Sequence, residues 1–339
     1  MTTLKDVAKL ANVSLSTVSI IVNGKQEARK ISPETCEKVI NAIRTLGYVP
    51  NLNARKIRYS ERSRPKLVLF WPFDSRTNIL SSLLTEIHLQ LHKTEFNFEL
   101  VIQTYDNDKI EQSIQEIIKD SCNGIIVAGA SHKDIECLES VKINSPVILI
   151  NRDSKKYSMV YVDPHEIASS AIDVLKKKNI TDIVIVGIKN SFIASNQRTK
   201  IFMEYCESEG ITIKNNHFIR AHNSFDDGIN IAKEYLKLSN RPKTIFCESD
   251  IVASGMIYHF NKVGIDLPDE VFMLAIGTVG GVLTKYLLRD ITVIEVPADK
   301  IARAIVNVFI NKFQSKDILS PVRRKVSPEI HIVGSCSEG

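Results

Sequence analysis

The chain has 339 residues, enough for two or three domains, and its 44% hydrophobic and 24% charged content is ordinary for a soluble globular protein. No apolar run approaches the roughly 18 residues that span a bilayer, and charges interrupt the opening "MTTLKDVAKLANVS" before a signal-peptide core can form, so the expected compartment is the cytoplasm. Net charge is +5, but residues 1–64 hold twelve Lys/Arg against five Asp/Glu while residues 65–339 carry a net of −2; a basic module on a slightly acidic body implies one surface for a polyanion and another for something else.

Three short helical patterns occupy the basic segment. In "TLKDVAKLA", Thr3 is placed to cap, Asp6 suits the first turn, and Leu4, Val7, Ala8 and Ala11 form one apolar stripe. "NVS" is a turn, and the second helix runs roughly from Ser16 to Asn23, where Asn-Gly stops it. The third begins at "SPETCEKV", with Ser32 as cap, Pro33 at the first position and Thr35 where a capping box has Glu; Val39, Ile40, Ile43 and Leu46 follow as its core stripe. Two helices joined by a three-residue turn, plus a packing helix, make a helix-turn-helix.

At about 100° per residue, Val18, Ile21 and Val22 share one face of the second helix, and Ser16 and Ile20 face away. Ile20 either packs against a neighbour or meets thymine methyl groups in the major groove. Beyond Pro50, "NLNARKI" has the length for one or two helical turns, and Arg55, Lys56, Arg58, Arg62 and Arg64 lead to Pro65 as a basic hinge or a flexible linker.

"TLKDVAKLANVSLSTVSIIVNGK" followed by "ISPETCEKVINAIRTLGYVPNLNARKI" resembles the head of the LacI/GalR family of bacterial transcription regulators over about sixty residues. The resemblance implies that Asn51–Ile57 is a hinge helix formed on operator DNA, with Ile57 at the position of the family's minor-groove leucine wedge and Ala54 and Arg55 matching its Ala-Arg pair. It implies DNA contacts from Thr3, Leu15, Ser16, Thr17, Ser19, Ile20 and Asn23 as well. Leu15 and Ser16 take the positions that most often set operator identity, and Ile20 stands where the family usually has Arg. The operator is therefore expected to differ from the common one, or to be read more through the hinge and phosphate contacts.

After Pro65, apolar runs alternate with helical stretches: "KLVLFWP", "NFELVIQT", "GIIVAG", "PVILIN", "SMVYVD", "DIVIVG", "KTIFCES", "VFMLAI" and "TVIEVP" read as strands. The helical stretches are "NILSSLLTEIHLQLHK", "KIEQSIQEIIKD", "HEIASSAIDVLKKK", "SNQRTKIFMEYCESEG" and "FDDGINIAKEYLKL". Fully apolar strands between helices imply parallel sheets covered on both faces, in two open sheets, since "PVILIN" and "SMVYVD" follow one another without a helix. This order is similar to the family's effector domain, two Rossmann-like lobes of periplasmic-binding-protein type joined by three crossovers. The implied fold class is an all-α helix-turn-helix head plus an α/β core. The expected division is 1–48 for the DNA-binding head, 49–64 for hinge helix and linker, and 65–339 for an effector-binding and dimerisation core. Its N-lobe would take about 65–162 and 291–320 and its C-lobe about 163–290 and 321–339, with crossovers near Val162, Asp290 and Pro321.

Ligands of such sheets sit at the C-terminal strand ends, which selects Phe73, Ile79, Asn151, Ser191, Asp250 and Gly277 as effector-binding candidates, with Arg152, Asp153 and Ser249 in the same loops; the resemblance adds Asn196 and Arg198. The resemblance implies an Arg opening the "SNQRTKIF" helix and an Asp in a Gly-Phe-Asp-Asp stretch, both used on polar effectors such as sugars. Here Asn196 holds the first position with Arg198 two residues on, and Gly277 replaces the Asp.

Chemistry of other kinds has little support. The six cysteines (Cys36, Cys122, Cys137, Cys206, Cys247, Cys336) are dispersed, without a C-x-x-C or Cys/His cluster. Gly277, Gly280 and Gly281 give G-x-x-G-G and not a dinucleotide fingerprint, and no nucleophile-elbow, zincin or phosphate-loop sequence occurs. His88 and His92 lie one helical turn apart but lack a third ligand. The reading is a non-enzymatic, cofactor- and metal-free repressor, nucleoid-associated and homodimeric, that binds a pseudo-palindromic operator of a carbohydrate-utilisation operon under control of a cleft-bound sugar or sugar phosphate. The alternatives are control by a phosphocarrier-type partner protein, no sugar effector at all, or a ligand-binding protein or enzyme with a vestigial head.

Overall fold

The computed structural model describes residues 4–22, 29, 31–46, 64–73, 77–94, 98–119, 122–189, 193–277, 291–314 and 319–332. The chain divides into two compact units, 1–63 and 64–339.

The first unit holds α1 (Leu4–Ala11), α2 (Leu15–Val22) and α3 (Pro33–Thr45). Ser14 caps α2: its Oγ accepts from the Thr17 amide at 3.0 Å and lies 2.7 and 2.8 Å from the Ser16 and Thr17 hydroxyls. Ser32 caps α3 through the Thr35 amide at 3.3 Å, and the two hydroxyls pair at 2.8 Å where a capping box would use a carboxylate. Val7, Ala8, Ala11, Val18, Val39 and Ala42 form the core, with Leu4, Val13, Ile21, Val22, Ile43 and Leu46 packed around it. Ile21 therefore sits on the core side, as its helical phase requires. Ile40 does not: it is 42% exposed, because it lies about 100° from Val39 around α3, and Ala42 fills the inward position. The Thr3 cap and the Asn-Gly stop lie outside the described residues.

The second unit begins with β1 (Lys66–Pro72), α4 (Thr77–His92), β2 (Glu99–Tyr105), α5 (Ile110–Lys119), β3 (Gly124–Ala128), α6 (His132–Ser140), β4 (Val147–Ile150) and β5 (Ser158–Val162). It continues through α7 (Pro164–Lys177), β6 (Val184–Ile188), α8 (Ile193–Ser208), β7 (Phe218–Ala221), α9 (Phe225–Leu236), β8 (Thr244–Cys247), α10 (Asp250–Val263) and β9 (Phe272–Gly277). The described elements end with β10 (Thr292–Glu295), α11 (Ala298–Gln314), β11 (Arg323–Val326) and β12 (Glu329–His331). Two six-stranded sheets result, ordered β11-β5-β4-β3-β1-β2 and β12-β10-β9-β8-β6-β7; every pairing is parallel except β12 on β10. The buried strands are almost wholly apolar, as sheets covered on both faces require. No helix among the described residues is long and apolar enough to cross a membrane.

The chain passes between the sheets three times. The first passage follows Val162. The second and third differ from the expected positions: β10 stays in the second sheet, so the chain leaves it after Glu295 and not near Asp290, and β11 still belongs to the first sheet, so the last passage falls between Val326 and Glu329 and not near Pro321. The reason is hydrogen bonding: Thr292–Glu295 pairs with Leu274–Gly277, and Arg323–Val326 pairs with Met159–Val162, before the backbone is free to turn. Ion pairs gather at these passages. His331 Nε2 lies 2.5 Å from Glu295 Oε2, Lys300 reaches Glu329 at 2.5 Å, and Lys325 reaches Glu166 at 2.5 Å. Lys300 holds the Glu329 carboxyl below its ordinary pKa, chiefly through their hydrogen bond.

Helices α9 and α10 meet backbone to backbone at Gly228 and Gly255. A Cβ on Gly255 would stand 2.0 Å from the Phe225 carbonyl oxygen, and one on Gly228 2.2 Å from that of Val252, so no side chain fits at either.

Candidate effector cleft and DNA-facing helix

Both sheets change winding direction once, between β1 and β3 in the first and between β6 and β8 in the second. Crevices open at such points, outside the carboxyl ends of the strands. Here the two face each other across one cleft of about 170 Å³. The first sheet contributes Trp71 near the end of β1, Ala128 and Gly129 at the end of β3, and Asn151 and Arg152 after β4. The second contributes Ile188 at the end of β6, Glu248 to Ile251 after β8, and Gly277 at the end of β9; Ile79 and Leu83 enter from α4 and Arg198 from α8.

Most of the wall is apolar and a few polar groups converge on it, the pattern of a small-molecule site. Four of these groups are partly spent on the fold. Asn151, at φ 52°, accepts the Val162 amide on its Oδ1 at 2.9 Å. Arg152, 5% exposed, donates from Nε to the Ala130 carbonyl at 2.5 Å and from Nη1 to that of Asn151 at 2.7 Å. Ser249 caps α10 and donates to Asn223 Oδ1 at 2.6 Å. Asp250 Oδ1 accepts the Ile251 amide at 2.9 Å. Charges of the cleft balance, with Arg152 and Arg198 against Glu248 and Asp250.

Among the described residues the wall supplies no His or Cys. The neighbouring Cys247 thiol is fully buried and burial pushes it up to about 12, so it is protonated and unreactive at neutral pH. Among the described residues, the group with ligand atoms close enough to share an ion is Glu295, Glu329 and His331, already tied into the ion pairs at the passages; the His88–His92 pair makes an edge-on ring contact at 4.3 Å. The arrangement is built to hold a small molecule.

Of the expected effector residues, Ile79, Asn151, Arg198, Asp250 and Gly277 line the cleft. Phe73 does not: its amide continues the β1–β2 ladder to the Tyr105 carbonyl at 2.9 Å, and its ring is 83% exposed. Asp153 turns away to pair with Arg323. Ser191 and the Asn196 side chain lie outside the described residues. Glu248 is the main lining residue the sequence reading missed, although the strand-end rule had already selected its loop. Asn223 follows β7, "FIRA", a strand whose apolar run is broken by Arg220.

The Gly277 position is closed. A Cβ there would stand 2.6 Å from Asp250 Cβ and 3.0 Å from its Oδ2, so the Asp250 side chain fills the space that any side chain at position 277 would need.

In the head, Leu15 and Ser16 are exposed, and Thr17, Ser19 and Ile20 are half-buried. By helical phase Ser16 and Ile20 lie opposite Val18, and Ile20 is absent from the head's apolar core. Thr3, Asn23, Asn51, Ala54, Arg55 and Ile57 lie outside the described residues. Ile20→Arg is expected to leave the head's thermal transition in place and to change the preferred base pair under α2 by about 1–3 kcal/mol. Selection of binding sites from a random DNA pool, with a melting curve beside it, reads both; a collapsed transition would place Ile20 in the core.

The comparisons agree with this geometry. A family profile described as "Bacterial regulatory proteins, lacI family" matches residues 3–51, and one described as "Periplasmic binding protein-like domain" matches residues 172–336. Among relatives, the probable HTH-type transcriptional repressor ExuR of Bacillus subtilis (strain 168) is 24% identical over 307 residues, 89% of each chain. The HTH-type transcriptional regulator MalR of Clostridium butyricum is 27% identical over 319 residues, 90% of this chain and 91% of that one. Among solved structures, a LacI family transcription regulator from Clostridium acetobutylicum is 31% identical with a TM-score of 0.74, over 80% of this chain and all of its own. The lac repressor dimer bound to operator and the anti-inducer ONPF has a TM-score of 0.68 at 15% identity, over 97% of both chains.

Proposed function

The chain belongs to the LacI family of bacterial regulatory proteins, and from that premise we propose that it is a transcriptional repressor of a carbohydrate-utilisation operon whose affinity for a pseudo-palindromic operator is set by a small molecule in the interlobe cleft. The observation that carries the reading is one chain joining a helix-turn-helix of net positive charge to an α/β body whose two winding reversals face a shared, mostly apolar cleft. Residues 1–64, head and hinge together, supply sequence-independent attraction to phosphate through their +7, and α2 with the hinge supplies base readout. It acts as a homodimer in the cytoplasm, because one head of this size covers too little DNA for tight specific binding. A ligand that favours the closed cleft shifts the balance of lobe arrangements and thereby the spacing of the two heads. The family relatives are regulators, and the cleft binds its ligand without turnover.

The effector is expected to depart from the family's usual sugars, since Gly277 replaces the family's aspartate and Asp250 fills the space that a side chain there would need. Control by a phosphocarrier-type protein is the second reading that this departure favours. Two measurements test the proposal. A gel shift on DNA upstream of the chain's own coding sequence is expected to give a sequence-selective complex that weakens steeply with salt; its absence overturns the repressor reading. Thermal shift with monosaccharides and sugar phosphates is expected to stabilise the core by about 2.7 kcal/mol at a ligand concentration one hundred times Kd; a flat panel transfers the effector role to the partner protein.

A further inference from the structure

A second pocket, of about 520 Å³, lies beneath α8 on the side facing β7. Its wall combines the apolar side chains Met203, Ile211, Ile213 and Phe218 with two buried polar ones, Thr199 and Glu248. Thr199 is 7% exposed and Glu248 5%, and neither Thr199 Oγ1 nor Glu248 Oε1 has a hydrogen-bond partner. The other oxygen of Glu248 accepts the Ile188 amide at 3.1 Å, so half of this carboxylate is used by the fold and half is not. A buried polar group without a partner costs about 1–3 kcal/mol, and more if charged, so such groups call for an explanation.

We infer that this pocket is a second ligand site and that it takes a compact organic cation, an amine head on a short apolar body. The head would meet Glu248 Oε1 and Thr199 Oγ1, and the body the apolar wall. The other charges leave the carboxylate unanswered: Lys200 lies 3.8 Å from Glu204, the Arg220 guanidinium is stacked 4.9 Å over the Phe218 ring, and Glu207 adds a further negative charge to the wall. Glu248 Oε1 and Thr199 Oγ1 are both closed off from water, so binding includes an adjustment of α8, which carries Thr199. Because Glu248 also lines the interlobe cleft, the two sites are coupled. A cation held on Glu248 cancels one of the cleft's two negative charges and leaves Arg152 and Arg198 against Asp250, which turns the cleft toward anionic ligands.

The test uses the full chain with Ile and Met methyl groups labelled for NMR and n-butylamine as probe, with n-butanol as its neutral counterpart. Butylamine is expected to shift the Met203, Ile211 and Ile213 methyls saturably, with butanol weaker by about tenfold or more, and Glu248→Gln is expected to abolish the difference. Glutamine keeps an acceptor for the Ile188 amide; should that variant fail to fold, Thr199→Val is expected to weaken the amine in the same way. Equal response to amine and alcohol, no saturable shift, or shifts confined to Ile79, Ile150, Ile251 and Ile276 of the cleft would each overturn the proposal. The last outcome assigns Glu248 to the cleft ligand alone and leaves the repressor reading untouched.

Discussion

Val18→Asp is expected to abolish operator binding and leave the melting of residues 64–339 unchanged. Val18 is fully buried in a core of six side chains, three of them alanines. A unit of this size is stabilised by only about 3–9 kcal/mol. The substitution removes about 1.5–3 kcal/mol of apolar burial and places a carboxylate where no partner waits, at a further cost of several kcal/mol. The sum matches or exceeds the whole stability of the head. Fluorescence anisotropy on operator DNA is expected to lose at least two orders of magnitude in affinity, and calorimetry to lose the head's transition while keeping that of the core. Val18→Ala, at about 2 kcal/mol, is the graded control and leaves a weakened head that still binds. Full operator affinity in Val18→Asp would mean that α2 is not packed through this face.

Gly277→Asp is the substitution that restores the family residue, and it is expected to damage the protein. The new Cβ would meet Asp250 at 2.6 Å, an overpacking cost of about 1–3 kcal/mol. Two carboxylates at such range add repulsion on the order of 4 kcal/mol. The core's melting temperature is expected to fall by roughly 6–12 °C, taking about 3 kcal/mol as the net after relaxation. Adding Asp250→Gly removes the Cβ that is met at 2.6 Å together with the carboxylate and is expected to recover most of the loss, so the two positions are not additive. An unchanged melting temperature in Gly277→Asp alone would show that the Asp250 side chain is free to leave, and with it the argument for an unusual effector.

The head was readable because everything that defines it is local. Caps at Ser32 and the turn before α2 sit within a few residues of the helices they bound, and the apolar stripes need only a helical period. Ile40 shows the limit: an apolar residue beside a stripe is counted inward until its angle is checked. In the body the buried strands announce themselves by apolar runs. Strand β11, "RRKV", does not, because an edge strand carries charge on purpose, and β12 has three residues. The third passage depends on those two strands; the second depends on which sheet "TVIEVP" joins, a long-range pairing with Leu274–Gly277 that its own sequence does not encode. Three helices of the body, α6, α10 and α11, are not among the helical stretches read from the sequence, although Ser131 and Asp134 form a capping box at α6, with Asp standing where Glu or Gln usually does. Within the cleft, the strand-end rule found the right loops. The closure of Gly277 by Asp250 is a meeting of two loops that no local pattern encodes.

The late pairing of β11 and β12 has a consequence during synthesis. The first sheet has five of its strands by Val162 but waits for Arg323–Val326 to cover the outer edge of β5, and the second waits for Glu329–His331 beside β10. At ribosomal speeds of about 5–20 residues per second, the nascent chain carries the open edge of β5 for roughly ten to thirty seconds. Neither lobe is finished first; both are sealed within a few residues of each other, as residues 323–331 emerge. A stop codon or ribosome stall just short of Arg323 therefore releases a polypeptide with two unsealed sheets, a substrate for chaperones and proteases rather than a repressor lacking its tail.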